Sequence, residues 1–506
     1  MSGHEDLSNA GPDLAAGIPS HTLPEGAMIA GHAHGDPVLV ARHDGKCYAI
    51  GAVCTHWSGN LVEGLLVGDT VRCPLHHACF SLATGEARRA PALDPVQTYH
   101  VEERDGSIVV LGKLDTAQPA AESLPPIKSA VIVGAGAAGV AAGEMLRRRG
   151  FTGTIDLIDA QPALPVDRPN LSKDFLSGAA EEAWVFLRPQ EWFDERRLTL
   201  HLGKRVTRID TNAHLVELSD GSQLPFDRLL LATGATPIQL PNAPAGTPNI
   251  HYLRTLDDSK SIIASATSKK RAVVIGASFI GLEVAASLRA RGVEVHVVAP
   301  EQRPLERIVG AELGDMVRAK HVEEGVIFHL GQTAKTIALP RVELSDGSTL
   351  DADFVVVGVG VRPEMTLAES IGLRTDKGVL VDEYLETSVP GIFAAGDIAK
   401  WPDRHTGQPL RVEHWVVAQR QGQVAACNML GARTAFDAVP YFWSTHYDVS
   451  IDYVGHAEKW EQLRVDGDPS QHDCKVEYRN GDTLLAVATV GRDTDSLRCE
   501  VAMERR

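Results

Sequence analysis

The sequence predicts a multidomain chain: an N-terminal antiparallel β domain, two α/β nucleotide-type domains with one inserted in the other, and a C-terminal α+β domain. Three observations lead there. The 506 residues exceed what one hydrophobic core organises, since single cores stop growing at about 250–300 residues. Two apolar strands, Ala130–Val133 and Ala272–Ile275, each run into a glycine-rich turn and a helix. Short β segments punctuated by Gly and Pro flank this pair: VLVAR, CYAIG and SIVVLG before it, and CKVEYRNGDTLLAVATVG, with an Asn480-Gly481 hairpin turn, after it.

The boundaries follow from these changes of texture. Residues 1–115 form the first β domain, and 116–127, rich in Pro, Ala and Ser without apolar periodicity, read as a linker. One nucleotide domain comprises 128–247 and 365–433 and is interrupted by the second, 248–364; residues 434–506 form the C-terminal domain.

Composition narrows the function. Apolar residues are 44% and charged residues 23%, close to globular averages, and the Ala/Gly/Val-rich texture suits parallel sheets covered by helices. A net charge of −17 offers no electrostatic footprint for nucleic acid or an anionic membrane, so neither is an expected partner. The apolar runs are too short for a membrane span, and the opening MSGHEDLSNAGPDLAAG is acidic where a signal peptide would be basic and then apolar. A cytoplasmic location is expected. The seven cysteines (Cys47, Cys54, Cys73, Cys79, Cys427, Cys474 and Cys499) are odd in number and sparse, which suits a reducing compartment and not a disulfide framework.

In the first domain, Cys54-Thr-His56 and Cys73-Pro-Leu-His76 form C-x-H-x16-C-x-x-H. A Rieske [2Fe–2S] centre replaces two cysteine ligands on one iron by histidines, so each of two loops must present one thiolate and one imidazole. The pattern supplies that pairing twice. The competing Cys2His2 zinc reading would place both cysteines in one pair and both histidines in the other. His77 and Cys79 read as a neighbour of the loop and a packed small residue. The segment resembles the Rieske ferredoxin family, which implies that Cys54, His56, Cys73 and His76 are the ligands. High-potential respiratory members carry an extra disulfide and a serine near the cluster; here those positions are Gly59, Leu75 and Ala78. The resemblance then implies a potential at the low end of the class, near about −150 mV.

Two further motifs are dinucleotide turns. Gly134-Ala-Gly136-Ala-Ala-Gly139 follows a strand and opens a helix, and Asp159 ends the next strand. The glycines let backbone approach a pyrophosphate at the helix N-terminus, and the carboxylate takes ribose hydroxyls. The second, Gly276-Ala-Ser278-Phe-Ile-Gly281-Leu-Glu283, has serine in the middle, small enough to keep the turn, so NAD(P) binding is expected. Glu301 lies just past the following strand, with Arg303 nearby. A carboxylate favours the free 2′-hydroxyl of NADH and an arginine the 2′-phosphate of NADPH, and the balance leans to NADH through Glu301.

Leu231-Ala232-Thr233-Gly234 and Thr387–Asp397, ending in Gly396-Asp397, resemble the junction and distal flavin motifs of the pyridine-nucleotide disulfide oxidoreductase superfamily. That likeness implies FAD in the first turn. Disulfide reductases use a C-x-x-x-x-C pair, whereas this chain has no cysteine between Cys79 and Cys427, so the dithiol route is excluded. Asp167-Arg168-Pro-Asn-Leu-Ser-Lys173 resembles a segment of oxygenase-coupled ferredoxin reductases and apoptosis-inducing-factor-like proteins. There the lysine beside the flavin pairs with the glutamate of I-G-L-E, here Glu283. Lys173 and Glu283 are therefore the expected catalytic pair. Glu413-His414-Trp415 and Pro440–Ser444 resemble segments near the flavin ring, although core packing of Trp415 or Trp443 is an equal reading. The resemblance also carries FAD-binding roles to Ala138, Arg168 and Val206, and NAD(P)-binding roles to Ile280 and Gly360. Ile238 stands where the family often has arginine.

Over nearly its whole length the chain resembles the Rieske-containing apoptosis-inducing-factor-like oxidoreductases. The resemblance implies an enzyme that moves electrons from NADH or NADPH through FAD to its own cluster and on to an acceptor such as an oxygenase or cytochrome. Two rivals stand beside it, an NAD(P)H oxidase or quinone reductase and an NADH-dependent redox-sensing scaffold. The sequence fixes neither the acceptor nor the oligomeric state.

Overall fold

The computed structural model describes residues 11–114 and 126–506; the expected linker lies almost wholly outside them, as do the first ten residues. The described chain divides into two compact units. The first holds the N-terminal segment together with 144–151 and 492–506, and the second holds 125–143 and 152–491.

The first unit is antiparallel β. In Ser107–Leu114 the buried residues Ile108 and Val110 alternate with more exposed ones, as a half-buried strand requires, whereas Asp36–His43 is buried on both faces from Val38 to Ala41. A six-stranded antiparallel sheet runs Ile18–Pro19, Ser107–Leu114, Thr98–Arg104, Lys46–Gly51, Asp36–His43, Met28–Ala33. A smaller four-stranded sheet follows the order Leu65–Val67, Thr70–Arg72, Cys79–Ser81, Ala87–Arg89. One core, with Leu39, Ile50, Leu61, Val71, Phe80 and Leu82, takes side chains from both sheets and includes Cys54 and Cys73.

The second unit contains two copies of one plan. Strands Ser129–Val133 and Arg271–Ile275 are buried along nearly their whole length, as the centre of a parallel sheet demands. The first sheet has the order Thr199–Leu202, Thr154–Asp159, Ser129–Val133, Arg228–Leu231, Ile392–Ala394. The second has the order Ile250–Tyr252, Phe354–Val357, Arg271–Ile275, Glu294–Ala299, Ile327–Leu330. Each is accompanied by a three-stranded antiparallel sheet, within 206–225 and 334–351 respectively. The last strand of the first sheet, Ile392–Ala394, comes after the whole of the second, so the second nucleotide domain is inserted in the first, as expected. A five-stranded antiparallel sheet spanning 441–490 follows and shares a core with the inserted domain: Val449, Ile451, Tyr453 and Val476 pack with Val295, Val297 and Leu313. The final helix, Asp493–Glu504, belongs to the first unit. Among the described residues no helix is long and apolar enough to cross a membrane.

Candidate functional site: a cysteine–histidine cluster and two dinucleotide turns

In the first unit the two predicted loops are built alike. Cys54 N–H donates to Gly59 O at 2.9 Å and Cys73 N–H to Ala78 O at 2.8 Å, while Ser58 N–H and His77 N–H reach back to Cys54 O (3.0 Å) and Cys73 O (3.2 Å). Both loops are therefore closed by backbone hydrogen bonds of the same pattern. They bring the four predicted ligands together. The two thiols are within hydrogen-bonding reach of each other, and the rings of His56 and His76 lie 5.1 Å apart at 89°. The Cys54 thiol is lowered below its usual pKa by the hydrogen bond from Cys73, whose own thiol is pushed up by that bond and by burial. Backbone N–H groups of His56 and Trp57 point at Cys54 sulfur, and those of Leu75 and His76 at Cys73 sulfur.

Two buried thiols and two half-buried imidazoles, one of each kind per loop, fit a [2Fe–2S] cluster with histidines on one iron. A zinc ion would draw all four to one centre with no need of this division. Space is tight behind them: a Cβ on Gly59 would stand 2.8 Å from Cys73 Sγ and 3.0 Å from a Leu75 methyl. Trp57 and Leu75, at 42% and 38% exposure, flank the ligands on the outside.

In the second unit the first glycine turn is a cradle with no room for side chains. Gly134 takes φ +108°, and a Cβ there would meet Ala232 O at 2.2 Å; one on Gly139 would meet Gly134 O at 1.9 Å. The space above Gly136 is instead faced by the Arg168 guanidinium, 3.2 Å from where a Cβ would be. Burial lowers the Arg168 guanidinium to about 10, and Arg254 adds to this, while Asp397 and Asp159 oppose it. Asp159 accepts from Ala135 N–H at 2.9 Å and from Gln161 N–H at 2.8 Å, which fixes it at the end of its strand.

Gly234 (φ +73°) and Gly396 (φ +80°) close the cradle; a Cβ on Gly396 would touch that of Ala138 at 3.3 Å. Asp397 accepts from Arg254 at 2.9 Å, and Thr233 Oγ1 donates to Glu364 O at 2.7 Å. The structure thus brings together Gly134, Gly136, Ala138, Gly139, Asp159, Arg168, Ala232, Gly234, Gly396 and Asp397. A glycine-lined turn with two arginines and two carboxylates converging on it fits the pyrophosphate and the polyhydroxyl chains of FAD. Arg254 was missed by sequence reasoning; its only signal is the Thr255-x-x-Asp258 capping box that starts the next helix. Val206 begins the strand Val206–Asp210 and is buried. Trp415, half-buried, opens the helix Trp415–Met429, whose Gly422 lies so close to the glycine-turn helix that a Cβ would strike Ala138 O at 2.1 Å.

The second turn repeats the plan. Gly276 takes φ +111°, its hypothetical Cβ meets Gly358 O at 2.3 Å, and that of Gly281 meets Gly276 O at 2.2 Å. Ser278 turns its hydroxyl into the structure, donating to Gly358 O at 2.8 Å, so the serine keeps the turn as expected. Ile280 is 43% exposed on the first turn of the helix, and Gly360 (φ +103°) accepts from Ile238 N–H at 3.0 Å. Arg303 is bound by Asp315 at 3.0 Å and Glu306 at 3.2 Å, whereas the Glu301 carboxylate is paired among the described residues with Arg307 at 3.8 Å.

Glu283 faces back from the second helix toward Lys173. Their ion pair is 2.8 Å, with Glu283 3% exposed. The carboxylate also accepts from Ser172 Oγ and Ser444 Oγ, each at 2.6 Å. Ser444 contacts His446 at 3.2 Å, and His446 contacts the buried His321 at 3.2 Å. Ser287 holds the other side of the loop, donating to Ser172 O at 2.7 Å. Burial, with Lys173 nearby, lowers His446 to about 3. Three donors, Lys173, Ser172 and Ser444, converge on this one buried carboxylate and fix the position of Lys173 Nζ. The sequence pointed to Lys173 and Glu283 as a pair; Ser172 and Ser444 lie in the segments it singled out but carried no role there, and His446 and His321 lay outside them.

With the geometry in hand, comparison with known proteins is direct. Residues 128–422 match the pyridine nucleotide-disulphide oxidoreductase family, 16–100 the Rieske [2Fe–2S] domain and 441–506 the reductase C-terminal domain. Rhodocoxin reductase of Rhodococcus erythropolis is 38% identical over 73% of this chain and 88% of its own length. Human apoptosis-inducing factor 3 is 32% identical over 90% of this chain and 78% of its own. The solved covalent putidaredoxin reductase–putidaredoxin complex superposes with a TM-score of 0.72 at 34% identity, covering 75% of this chain and 93% of the matched one. The chain therefore belongs to the pyridine nucleotide-disulphide oxidoreductase family, as a ferredoxin-reductase-type oxidoreductase that uses FAD and NAD(P)H and carries a Rieske [2Fe–2S] domain.

Proposed function

We propose that the enzyme takes electrons from NADH at its FAD, passes them singly to its own Rieske cluster, and delivers them to a protein acceptor such as an oxygenase or a cytochrome. The observation that carries this is the joining of a one-electron ligand set, Cys54, His56, Cys73 and His76, to a two-electron reductase that has no redox dithiol. FAD, when bound, accepts two electrons together and can release them one at a time.

The chain's own residues prepare that chemistry. Arg168, Arg254, Asp159 and Asp397 bind the flavin dinucleotide over Gly134–Gly139, while the Gly276–Gly281 turn holds the nicotinamide dinucleotide. Lys173, pinned by Glu283, places a fixed positive charge where reduction creates negative charge. Glu301 accepts from the ribose 2′-hydroxyl, and Arg303, spent on two carboxylates, is not offered to a 2′-phosphate; this favours NADH. The half-exposed His56 and His76, between Trp57 and Leu75, are the exit to the acceptor. The names of rhodocoxin reductase and of the putidaredoxin complex describe reductases serving a separate carrier, and here the carrier is fused.

The test is acceptor choice. In Cys54→Ser, reduction of ferricyanide, which draws on flavin directly, is expected to persist, while cytochrome c reduction falls about tenfold or more. Cytochrome c or quinone turnover that survives the substitution at the native rate overturns the proposal in favour of a quinone reductase or oxidase.

A further inference from the structure

The final helix, Asp493–Glu504, matches the reductase C-terminal domain in sequence yet lies in the first unit, with the cluster loops. Its buried face carries Ser496, Leu497, Glu500 and Met503, one stripe at helical spacing. Two of those four are polar, and both reach His77. Glu500 Oε2 lies 2.8 Å from His77 Nδ1, and Ser496 Oγ 3.3 Å from His77 Nε2. Both side chains of the Glu500–His77 pair are fully buried. His77 directly follows the ligand His76 and takes φ +61°, a left-handed conformation that costs a non-glycine residue energy. That conformation turns the chain so that Ala78 O receives the Cys73 N–H and closes the loop.

One helical turn on, Glu504 grips the other end. Its Oε2 lies 2.7 Å from Arg72, the residue before the ligand Cys73, and its Oε1 2.5 Å from Arg89. Arg72 and Arg89 both stand opposite Cys79 on neighbouring strands, so one carboxylate spans three strands of the small sheet. Arg72 also lies 3.7 Å from Glu500. Burial alone would lower the Arg89 guanidinium, but Glu500 and Glu504 together carry it above its usual value.

We propose that Glu500 is a positioning residue for the cluster, and that Glu500 and Glu504 of the C-terminal helix staple both ends of the second ligand loop, Cys73 to His76, through His77 and Arg72. The proposal rests on Cys73 and His76 being cluster ligands. A helix that matches the reductase C-terminal domain in sequence thereby supplies a wall of the iron–sulfur site within the first unit. Truncating Glu500 removes the buried carboxylate 2.8 Å from His77 Nδ1 and leaves Arg72 to Glu504, so that His77 can leave its left-handed turn. A neutral residue of the same size keeps a hydrogen bond to His77 while deleting a negative charge near the cluster, which favours the reduced state.

The experiment compares full-length native protein with Glu500→Ala, Glu500→Gln and, on the exposed face of the same helix, Arg498→Ala. Iron and sulfide per FAD, the EPR spectrum after dithionite reduction, and the midpoint potential of the cluster are measured, with FAD content and ferricyanide reduction reporting an intact reductase. The expected result is cluster content lowered about tenfold in Glu500→Ala. In Glu500→Gln the cluster is retained with altered g values and a higher potential, and Arg498→Ala is native in all respects. Full cluster content in Glu500→Ala together with native g values and potential in Glu500→Gln overturns the proposal. A native protein with intact FAD and no Rieske signal after dithionite overturns the ligand assignment and this inference with it.

Discussion

The two glycine turns of the second unit solve one steric problem in the same way and then diverge. Gly134 and Gly276 adopt φ of +108° and +111°, and Gly139 and Gly281 each leave about the same 2 Å between a hypothetical Cβ and the carbonyl of their turn's first glycine. The backbone of a dinucleotide turn is thus identical in both. The middle position differs. Gly136 faces the Arg168 guanidinium, where a side chain would displace a charged partner, whereas Ser278 bends inward to Gly358 O. The acidic position differs too: Asp159 is pinned by two backbone N–H groups, while Glu301 is loosely paired. On the proposed reading, the first turn is built around a resident FAD and the second around an exchanging nicotinamide dinucleotide.

The largest effects are expected at the shared glycines. Gly139→Ala should abolish FAD retention, read as flavin absorbance per protein, because its Cβ would overlap Gly134 O. Gly281→Ala should keep FAD but raise the KM for NADH about tenfold or more, as expected when overpacking costs about 1–3 kcal/mol. If Gly139→Ala retains flavin at native stoichiometry, the two turns do not bind as equivalents.

Next in size is the bridge between the halves. Glu283→Gln removes the charge opposite Lys173; flavin reduction by NADH in anaerobic rapid mixing should slow about 10²-fold with FAD content unchanged, the usual scale for losing one oriented electrostatic contact. An unchanged rate would make the pair structural.

The same region should be acid-sensitive. Burial, helped by Lys173, holds His446 near about 3, and burial, helped by His456, holds His414 near about 3. Unfolded histidines titrate near about 6.5, so below that pH the unfolded chain binds protons that these neutral rings do not. Each contributes stability that is intact above about pH 6.5 and is lost as pH falls toward about 3, by up to about 1.4 kcal/mol per pH unit. Urea midpoints at pH 7.5, 6 and 5 should fall in that order, and the fall should shrink in His446→Gln; equal midpoints would contradict it.

The smallest effects sharpen the divergence. Glu301→Ala should lower the NADH over NADPH preference in kcat/KM about tenfold, the scale of one lost discriminating contact. Ser278→Gly should change the NADH KM by less than about threefold, because glycine keeps the turn and loses only one interior hydrogen bond.

Much of this was legible in the sequence because it is local. Both turns and the Cys-x-His and Cys-x-x-His pairs are written in residues close together along the chain, where steric need fixes residue type, and the inserted order of domains follows from the order in which such local motifs occur. What escaped is long-range. Arg254 reaches Asp397 across 143 positions, Ser444 reaches Glu283 across 161, and Glu500 reaches His77 across 423. Such pairs depend on how elements pack, and Ser, Arg and Glu are too common on surfaces to advertise a buried partner. The backbone N–H groups around the cysteine sulfurs escaped for another reason: every residue has one, and only loop geometry aims it.

Anaerobic titration with NADH, followed by visible absorbance and low-temperature EPR, shows whether the flavin feeds the cluster. The flavin is expected to bleach, and a rhombic signal of low average g value, characteristic of histidine-ligated clusters, is then expected to grow in. Complete flavin bleaching with no such signal, in protein whose cluster dithionite does reduce, would contradict this expectation.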